Sequence, residues 1–124
     1  MAKILFLEDE KEIIKILDEF LGKEGHELIS ATNSPRALKL IMTRPDIDLA
    51  ILDIRIPGMD GIAVLRKVKS LRKKKPPLLI LTGSVAEVHF HDNLRKLKIK
   101  EEDILLKPID LYRLLEQINR KLEK

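Results

Sequence analysis

The fold is decided by residues 49–53, Leu49-Ala50-Ile51-Leu52-Asp53, in which four consecutive apolar residues end in an aspartate. An unbroken apolar run of this length is typical of a parallel strand that helices cover on both faces. The aspartate has no packing reason to end such a run, because a carboxylate is costly to bury without a partner. The stretch therefore predicts a central strand with a functional group at its carboxyl end.

Further short apolar runs lie on either side of this one and alternate with helical patterns. The five predicted strands are residues 4–7, 26–31, 49–52, 77–81 and 104–106. Apolar residues at helical spacing follow each strand, with residues 85–97 as the fourth helix. Ser34 and Asp60 are the expected N-caps of the second and third helices. This alternation predicts an α/β fold, a doubly wound parallel sheet with helices on both faces.

Length and composition indicate one domain over residues 1–124, with no output domain beside it. The absence of cysteine excludes a disulfide framework and a thiol nucleophile. No apolar run is long enough to span a bilayer, and the first one is too short for a secretory signal, so a cytoplasmic protein is expected. With 27 Lys and Glu against four Gln and Asn, the composition follows the tendency of hyperthermophile proteins.

Polar residues follow four of the five predicted strands, and the carboxyl ends of parallel strands meet at one sheet edge. These residues are Glu8-Asp9 after the first strand, Asp53 after the third, Thr82 after the fourth and Lys107 after the fifth. Three carboxylates placed together raise one another's pKa, and a divalent cation would offset their repulsion. An oxygen-only ligand set suits Mg²⁺, for which Mn²⁺ can substitute.

These residue types also suit phosphoryl transfer. A carboxylate kept ionised by a metal can attack phosphorus as a nucleophile. Lys107 could then neutralise charge on the transferred phosphoryl oxygens, and the Thr82 hydroxyl could donate a hydrogen bond to one of them.

Residues 52–61, Leu-Asp-Ile-Arg-Ile-Pro-Gly-Met-Asp-Gly, closely resemble the phosphoacceptor segment of response-regulator receiver domains. Glu8-Asp9-Glu10, Thr82 and Lys107-Pro108 fall where that family has its other markers, so the resemblance covers the whole chain. It implies a flavodoxin-like (βα)5 domain with strand order 2-1-3-4-5, in which Asp53 accepts a phosphoryl group from a sensor histidine kinase or phosphotransfer protein. The implied Mg²⁺ ligands are Glu8, Asp9, Asp53 and the main-chain carbonyl of Arg55.

The resemblance further implies a signalling phosphoacceptor rather than an enzyme with turnover. Its downstream partner would bind the face formed by the fourth helix, the fifth strand and the fifth helix. The chain is then either a stand-alone regulator or a part of a longer one.

Several positions depart from the family pattern. Glu8 stands where aspartate is commoner, and Gly83 replaces a small alanine, which should loosen the loop after Thr82. The position three before Lys107, usually an aromatic switch residue, is Ile104. These changes leave phosphorylation chemistry in place and affect how the signal leaves the domain.

Three other functions are known to use such a scaffold, and each makes its own demand on the sequence. A haloacid-dehalogenase-like phosphatase would need alternating aspartates after the first strand, whereas here the acids are adjacent. A flavin carrier would need a Ser/Thr/Gly-rich phosphate loop there, and the acidic residues would repel a phosphate. An adaptor that does not depend on phosphorylation is disfavoured by Asp53, Thr82 and Lys107, although Ile104 keeps it open.

The basic runs 69–75 and 95–100 lead into the fourth and fifth strands. Both therefore belong to the amino-terminal edge of the sheet, opposite Asp53, and a single basic patch there is a hypothesis. With a net charge of only +4, direct DNA binding is not expected, and a solvated face is the simpler interpretation. His89 and His91 lie two apart on the predicted fourth helix, so they face different directions and do not indicate a metal site.

Overall fold

The computed structural model describes residues 1–54, 61–71, 75–83 and 94–123. The strands are β1 (Lys3–Leu7), β2 (Glu27–Ala31), β3 (Leu49–Asp53), β4 (Leu78–Thr82) and β5 (Ile104–Leu106). The helices are α1 (Lys11–Lys23), α2 (Ser34–Thr43), α3 (Gly61–Ser70) and a C-terminal helix (Leu111–Leu122), with a 3-10 turn at Glu101–Asp103. The predicted fourth helix falls largely outside the described residues, of which 94–96 are helical.

All strands pair in parallel in the order β2-β1-β3-β4-β5, which confirms the predicted doubly wound α/β fold. The register sets the strand ends level with one another. Leu7 pairs with Leu52, Asp53 pairs with Leu81, and Thr82 pairs with Leu106. The residues that end β1, β3, β4 and β5 therefore lie in one row along the carboxyl edge of the sheet.

Alternate residues of the strands supply two apolar cores, one on each sheet face. Leu5, Leu7 and Leu52 pack on the face covered by α2 and α3. Ile4, Phe6 and Ile51 pack on the face covered by α1 and the C-terminal helix. Because β3 and β4 are fully buried along their length, their continuous apolar sequences are explained by helices on both sides.

The N-cap of α2 differs from the prediction. Asn33, not Ser34, caps the helix: its backbone is extended and its Oδ1 accepts a hydrogen bond from the Arg36 N–H at 2.9 Å. Ser34 is the first helical residue instead, because Asn33 already satisfies one of the exposed N–H groups of the first turn. The predicted cap Asp60 lies outside the described residues.

Candidate functional site

The first candidate residue, Glu8, directly follows β1. Its N–H donates to the Ala31 carbonyl oxygen at 3.0 Å, which extends the pairing of β1 with β2. The residue is fully buried, and its Oε2 accepts a hydrogen bond from the Glu10 N–H at 3.1 Å. A carboxylate is thus held inside the protein at the end of the strand.

Asp53 is the last residue of β3 and is 2% exposed. Its Oδ2 accepts a hydrogen bond from Lys107 Nζ at 2.5 Å. The pairing of β3 with β4 places Asp53 opposite Leu81, one residue before Thr82. The predicted acceptor is therefore a buried carboxylate on the central strand, and the Lys107 ammonium group is hydrogen-bonded to it.

Lys107 reaches this carboxylate from the end of β5. Its main-chain N–H donates to the Thr82 carbonyl oxygen at 2.9 Å, and a cis peptide bond joins it to Pro108. Its Nζ contacts Glu8 Oε1 at 2.9 Å as well as Asp53. One ammonium group therefore bridges two buried carboxylates that come from β1 and β3.

The pKa shifts report how these charges share the site. Burial raises the pKa of Glu8 above its usual value, although the contacts with Lys107 and the Glu10 N–H oppose the shift. Burial lowers the pKa of Lys107, but the hydrogen bond to Asp53 and the close contact with Glu8 outweigh burial and raise that pKa overall. Lys107 is therefore firmly cationic at neutral pH, while Glu8 holds its negative charge at a cost.

One buried oxygen at this site receives no hydrogen bond from the described residues. Glu8 Oε1 is buried, and its contact with Lys107 Nζ, although close, does not have hydrogen-bond geometry within the described part of the chain. A buried carboxylate oxygen in this state is costly unless a further positive group reaches it. The missing hydrogen bond at this buried oxygen therefore indicates that the site suits a cation.

Neighbouring acids supply the rest of a cation site. Glu8, Asp9 and Glu10 can each offer one carboxylate oxygen, and these oxygens lie within 4.8 Å of one another. Asp9 and Glu10 are exposed, so an ion could reach them from solvent. A set of carboxylate oxygens suits Mg²⁺ or Mn²⁺, and the donors present fit such an ion.

The predicted metal ligands are only partly gathered in this group. Glu8 and Asp9 belong to it, whereas Asp53 is engaged with Lys107, and Arg55 lies outside the described residues. The sequence analysis placed Glu10 in the acidic marker but did not assign it as a metal ligand. The signal was present as a third consecutive acid, but an acidic residue there also reads as an ordinary start of α1.

Thr82 and Ile104 lie at the two ends of the β4–β5 pair. Thr82 is fully buried at the carboxyl edge, next to the Lys107 main chain. Ile104 pairs with Ile80 at the amino end of β5 and packs, partly buried, on the face covered by α2 and α3.

Gly83 is exposed, and a Cβ added there would meet no atom within 4 Å. The extra freedom of Gly83 is therefore not required by a close contact.

Gly61 has a positional role that the sequence analysis did not assign. A Cβ at Gly61 would overlap the Cα, Cβ and carbonyl oxygen of Ile54, the residue that follows Asp53. The glycine allows the start of α3 to close against the end of β3. It therefore helps to fix the backbone beside the candidate acceptor.

An open cavity of about 650 Å³ adjoins the site on the α1 side. Apolar residues of α1 form one wall, and the segment that follows β5 forms the other. The lining residues are Glu10, Ile13, Ile16, Leu17, Gly83, Lys107, Pro108, Ile109 and Leu111. Ile16 is 53% exposed, so an apolar surface reaches from solvent to the Lys107 side chain.

Comparison with known proteins identifies this arrangement. The profile of the response regulator receiver domain family matches residues 4–119. The regulatory protein VanR of Enterococcus faecium is 32% identical over 122 residues, which are 98% of this chain and 50% of VanR. The response regulator SaeR of Staphylococcus epidermidis is 31% identical over 124 residues, 52% of its length. The chain therefore spans about half the length of these curated relatives.

Solved structures agree with the sequence comparisons. A CheY-like receiver domain protein from Methanospirillum hungatei is 27% identical, with a TM-score of 0.86 and coverage of 99% of this chain and 94% of the other. The chemotaxis response regulator CheY4 of Vibrio cholerae is 25% identical, with a TM-score of 0.81 over 98% of this chain and 99% of CheY4.

No helix within the described ranges is long and apolar enough to cross a membrane. The parallel sheet with its row of acids and a lysine, the family profile and these relatives all lead to the same assignment. The chain belongs to the response regulator receiver domain family.

Proposed function

We propose that this chain is the phosphorylatable receiver of a two-component phosphorelay, with Asp53 as the phosphoacceptor. The observation that carries the proposal is the Lys107 ammonium in contact with the buried carboxylates of Asp53 and Glu8. A carboxylate held beside a fixed cation in a buried setting is preorganised to receive a group that brings further negative charge. Family membership supports the same role.

The transfer uses a phosphohistidine of a sensor histidine kinase or of a phosphotransfer protein as donor. An Asp53 carboxylate oxygen attacks phosphorus, and a P–O bond forms as the P–N bond to the imidazole breaks. The leaving imidazole takes up a proton from solvent. Lys107 neutralises charge on the phosphoryl oxygens, and the Thr82 hydroxyl donates a hydrogen bond to one of them.

A divalent cation, Mg²⁺ or Mn²⁺, would be held by Glu8, Asp9 and Asp53, with Glu10 as an additional donor within reach. The Arg55 carbonyl, implied by the family resemblance, completes the proposed set. When bound, the ion supplies positive charge for the transferred phosphoryl oxygens. The buried Glu8 Oε1, which has no well-formed hydrogen bond within residues 1–54, 61–71, 75–83 and 94–123, supports this part of the proposal.

The phosphodonor docks at the apolar cavity beside Lys107. Ile13, partly buried, and Ile16, exposed, lie three residues apart on α1 and form an apolar stripe that leads to Lys107. A donor helix that covers this stripe would bury apolar surface and bring its phosphohistidine to Asp53. The cavity's continuity with Lys107 favours this side of the molecule.

The downstream partner binds the face formed by the predicted fourth helix, β5 and the C-terminal helix. A groove of about 290 Å³ marks this face, lined by Ile104, Leu105, Leu106, Ile109, Asp110 and Arg113. Ile104 is β-branched and has few side-chain rotamers, so it changes the surface little between states. We expect phosphorylation to alter residues 82–84 and the predicted fourth helix more than β5.

The chain works either alone in the cytoplasm or as the receiver of a longer regulator. Its chemistry is limited to its own phosphorylation and dephosphorylation rather than turnover of a metabolite.

The direct test is labelling with acetyl phosphate and Mg²⁺, followed by mass spectrometry of the intact protein. We expect one added phosphoryl group in the native chain and none in Asp53→Asn. Asp48→Asn is a matched control, because Asp48 lies at the other edge of the sheet, and it should label normally. Equal labelling of Asp53→Asn and the native chain would overturn the assignment.

A further inference from the structure

A second cavity, of about 230 Å³, opens at the amino-terminal edge of the sheet, opposite Asp53. Its position follows from Asp48 and Pro77, which directly precede β3 and β4 and line it. Three cations from separate parts of the chain also line it: Arg44 after α2, Lys75 before β4 and Lys121 in the C-terminal helix. The other lining residues are apolar, namely Ile41, Pro45, Ile47, Pro76 and Leu122.

Each of these cations retains hydrogen-bond donors. Arg44 pairs with Asp46 through Nε and Nη2, at 3.1 and 2.7 Å. Lys121 Nζ contacts Asp103 at 2.8 Å, and Lys75 Nζ donates to the main-chain carbonyl of Lys69 at 2.7 Å. Since a guanidinium has five N–H groups and an ammonium has three, all three side chains can still bind an acceptor.

The charge balance of the lining favours an anion. Three cations and one carboxylate, that of Asp48, line the cavity, whereas Asp46 and Asp103, the partners of Arg44 and Lys121, are not among the lining residues. Asp48 Oδ2 already accepts a hydrogen bond from the Lys3 N–H at 2.8 Å. The Lys121 side chain is only 19% exposed, so its position is restricted by packing. Cations held in place before binding lose little side-chain entropy when a ligand arrives.

The surrounding surface adds to this potential. Lys69, Lys98 and Lys100 are exposed members of the two basic runs, and Lys100 directly precedes the 3-10 turn that leads into β5. These exposed lysines therefore lie at the same edge of the sheet as the cavity. The phosphoacceptor site at the opposite edge does not account for it.

We infer that this cavity binds the diphosphate group of a small anion, free or as part of a nucleoside diphosphate. At about 230 Å³, the cavity has room for a diphosphate group. Arg44 offers a planar set of donors, and the two lysines offer point charges, as in other phosphate sites. The inference does not depend on phosphorylation of Asp53.

Inorganic pyrophosphate is the probe, titrated into the full chain at low salt without divalent cations and followed by amide chemical shifts. We expect saturable shifts at residues 44–48, 75–79 and 118–122, and weaker binding as salt increases. Lys75→Gln should weaken binding about five-fold, which corresponds to the loss of one hydrogen bond of ordinary net strength. Lys69→Gln removes the same charge beside the cavity without lining it, and it should weaken binding less than about two-fold.

Two further titrations, with adenosine diphosphate and with a short DNA duplex, distinguish the possible ligands. Adenosine diphosphate that binds as tightly as pyrophosphate identifies the diphosphate group as the recognised element. Shifts that are absent or do not saturate, or equal losses in the two lysine variants, would overturn the inference. A short DNA duplex that displaces pyrophosphate, with shifts spread over Lys69, Lys98 and Lys100, would also overturn it in favour of a nucleic-acid surface.

Because Lys75→Gln leaves the phosphoacceptor residues intact, it should still be labelled by acetyl phosphate. The pyrophosphate result and the labelling result can therefore fail independently.

Discussion

The two edges of the same sheet handle charge in opposite ways. At the carboxyl edge, Glu8 and Asp53 are buried, and Lys107 bridges them. At the amino edge, Arg44 and Asp46 form a surface pair in which both side chains are more than one-third exposed. Water screens the second arrangement and not the first. Because this buried charge is incompletely neutralised, we expect the carboxyl edge to respond to a cation or a phosphoryl group.

The largest expected effect is the loss of Lys107. Lys107→Met leaves two buried carboxylates without their shared cation, and we expect the free energy of unfolding to fall by about 3 kcal/mol in the absence of metal. Saturating Mg²⁺ should restore part of the loss by binding the native state. Urea unfolding followed by circular dichroism measures both.

Lys75→Met is the matched control, since Lys75 is also followed by a proline but lies exposed at the amino edge. We expect it to change the free energy of unfolding by less than about 0.5 kcal/mol. Equal losses in the two variants would remove the distinction between the edges.

A second difference of about 2 kcal/mol is expected between two glycines. Gly61→Ala forces a Cβ into the main chain of Ile54, and such overpacking typically costs 1–3 kcal/mol, so we expect a loss of about 2 kcal/mol. Gly83→Ala meets open space and should be neutral or stabilise by about 0.5 kcal/mol, because it restricts the unfolded chain. Thermal unfolding of both variants measures the two changes. A loss of stability in Gly83→Ala as large as in Gly61→Ala would contradict this interpretation of the loop after Thr82.

Much of this contrast could be predicted from the sequence. The apolar runs and their spacing predicted all five strands, and the resemblance to receivers supplied the strand order that the structure confirms. Because strand ends align in a parallel sheet, Glu8, Asp53, Thr82 and Lys107 could be placed at one edge before any contact was known.

The remaining features depend on three-dimensional contacts. Gly61 approaches Ile54 closely, and the distance between the start of α3 and the end of β3 cannot be deduced from the spacing of apolar residues in the sequence. Asn33 and Ser34 are both good N-caps, so the backbone geometry had to decide between them. The joining of Arg44, Lys75 and Lys121 in one cavity likewise depends on where α2 and the C-terminal helix end relative to the sheet.

A smaller effect is expected from neutralising Glu8. Burial raises the pKa of Glu8, so the native state keeps the proton to higher pH than the unfolded chain, in which the pKa is near 4.5. The contribution of Glu8 to stability therefore falls as pH rises above 4.5. Glu8→Gln removes this dependence, and at neutral pH without metal we expect a gain in the free energy of unfolding that is smaller than the loss in Lys107→Met.

Unfolding curves of Glu8→Gln and the native chain across this pH range provide the check. The gain should shrink on acidification and also when Mg²⁺ is present. A variant that is less stable than the native chain at neutral pH would show that the Lys107 contact outweighs burial.

The smallest effect is expected at the amino edge. The Arg44 guanidinium and then Lys3 hold the pKa of Asp46 below its usual value. The stabilisation from Asp46 is therefore present at neutral pH and lost as pH falls below about 3.8. Because the pair is exposed, Asp46→Asn should leave the unfolding midpoint nearly unchanged at neutral pH, and a change as large as that of Lys107→Met would contradict the comparison.

The central claim is that the buried carboxylate bound by Lys107 is the group that receives phosphate. Borohydride reduction of the phosphorylated chain converts an acyl phosphate on aspartate to homoserine, which tandem mass spectrometry locates by residue. We expect homoserine at position 53 and at no other aspartate. Homoserine at Asp9 or elsewhere, with Asp53 unmodified, would contradict the account.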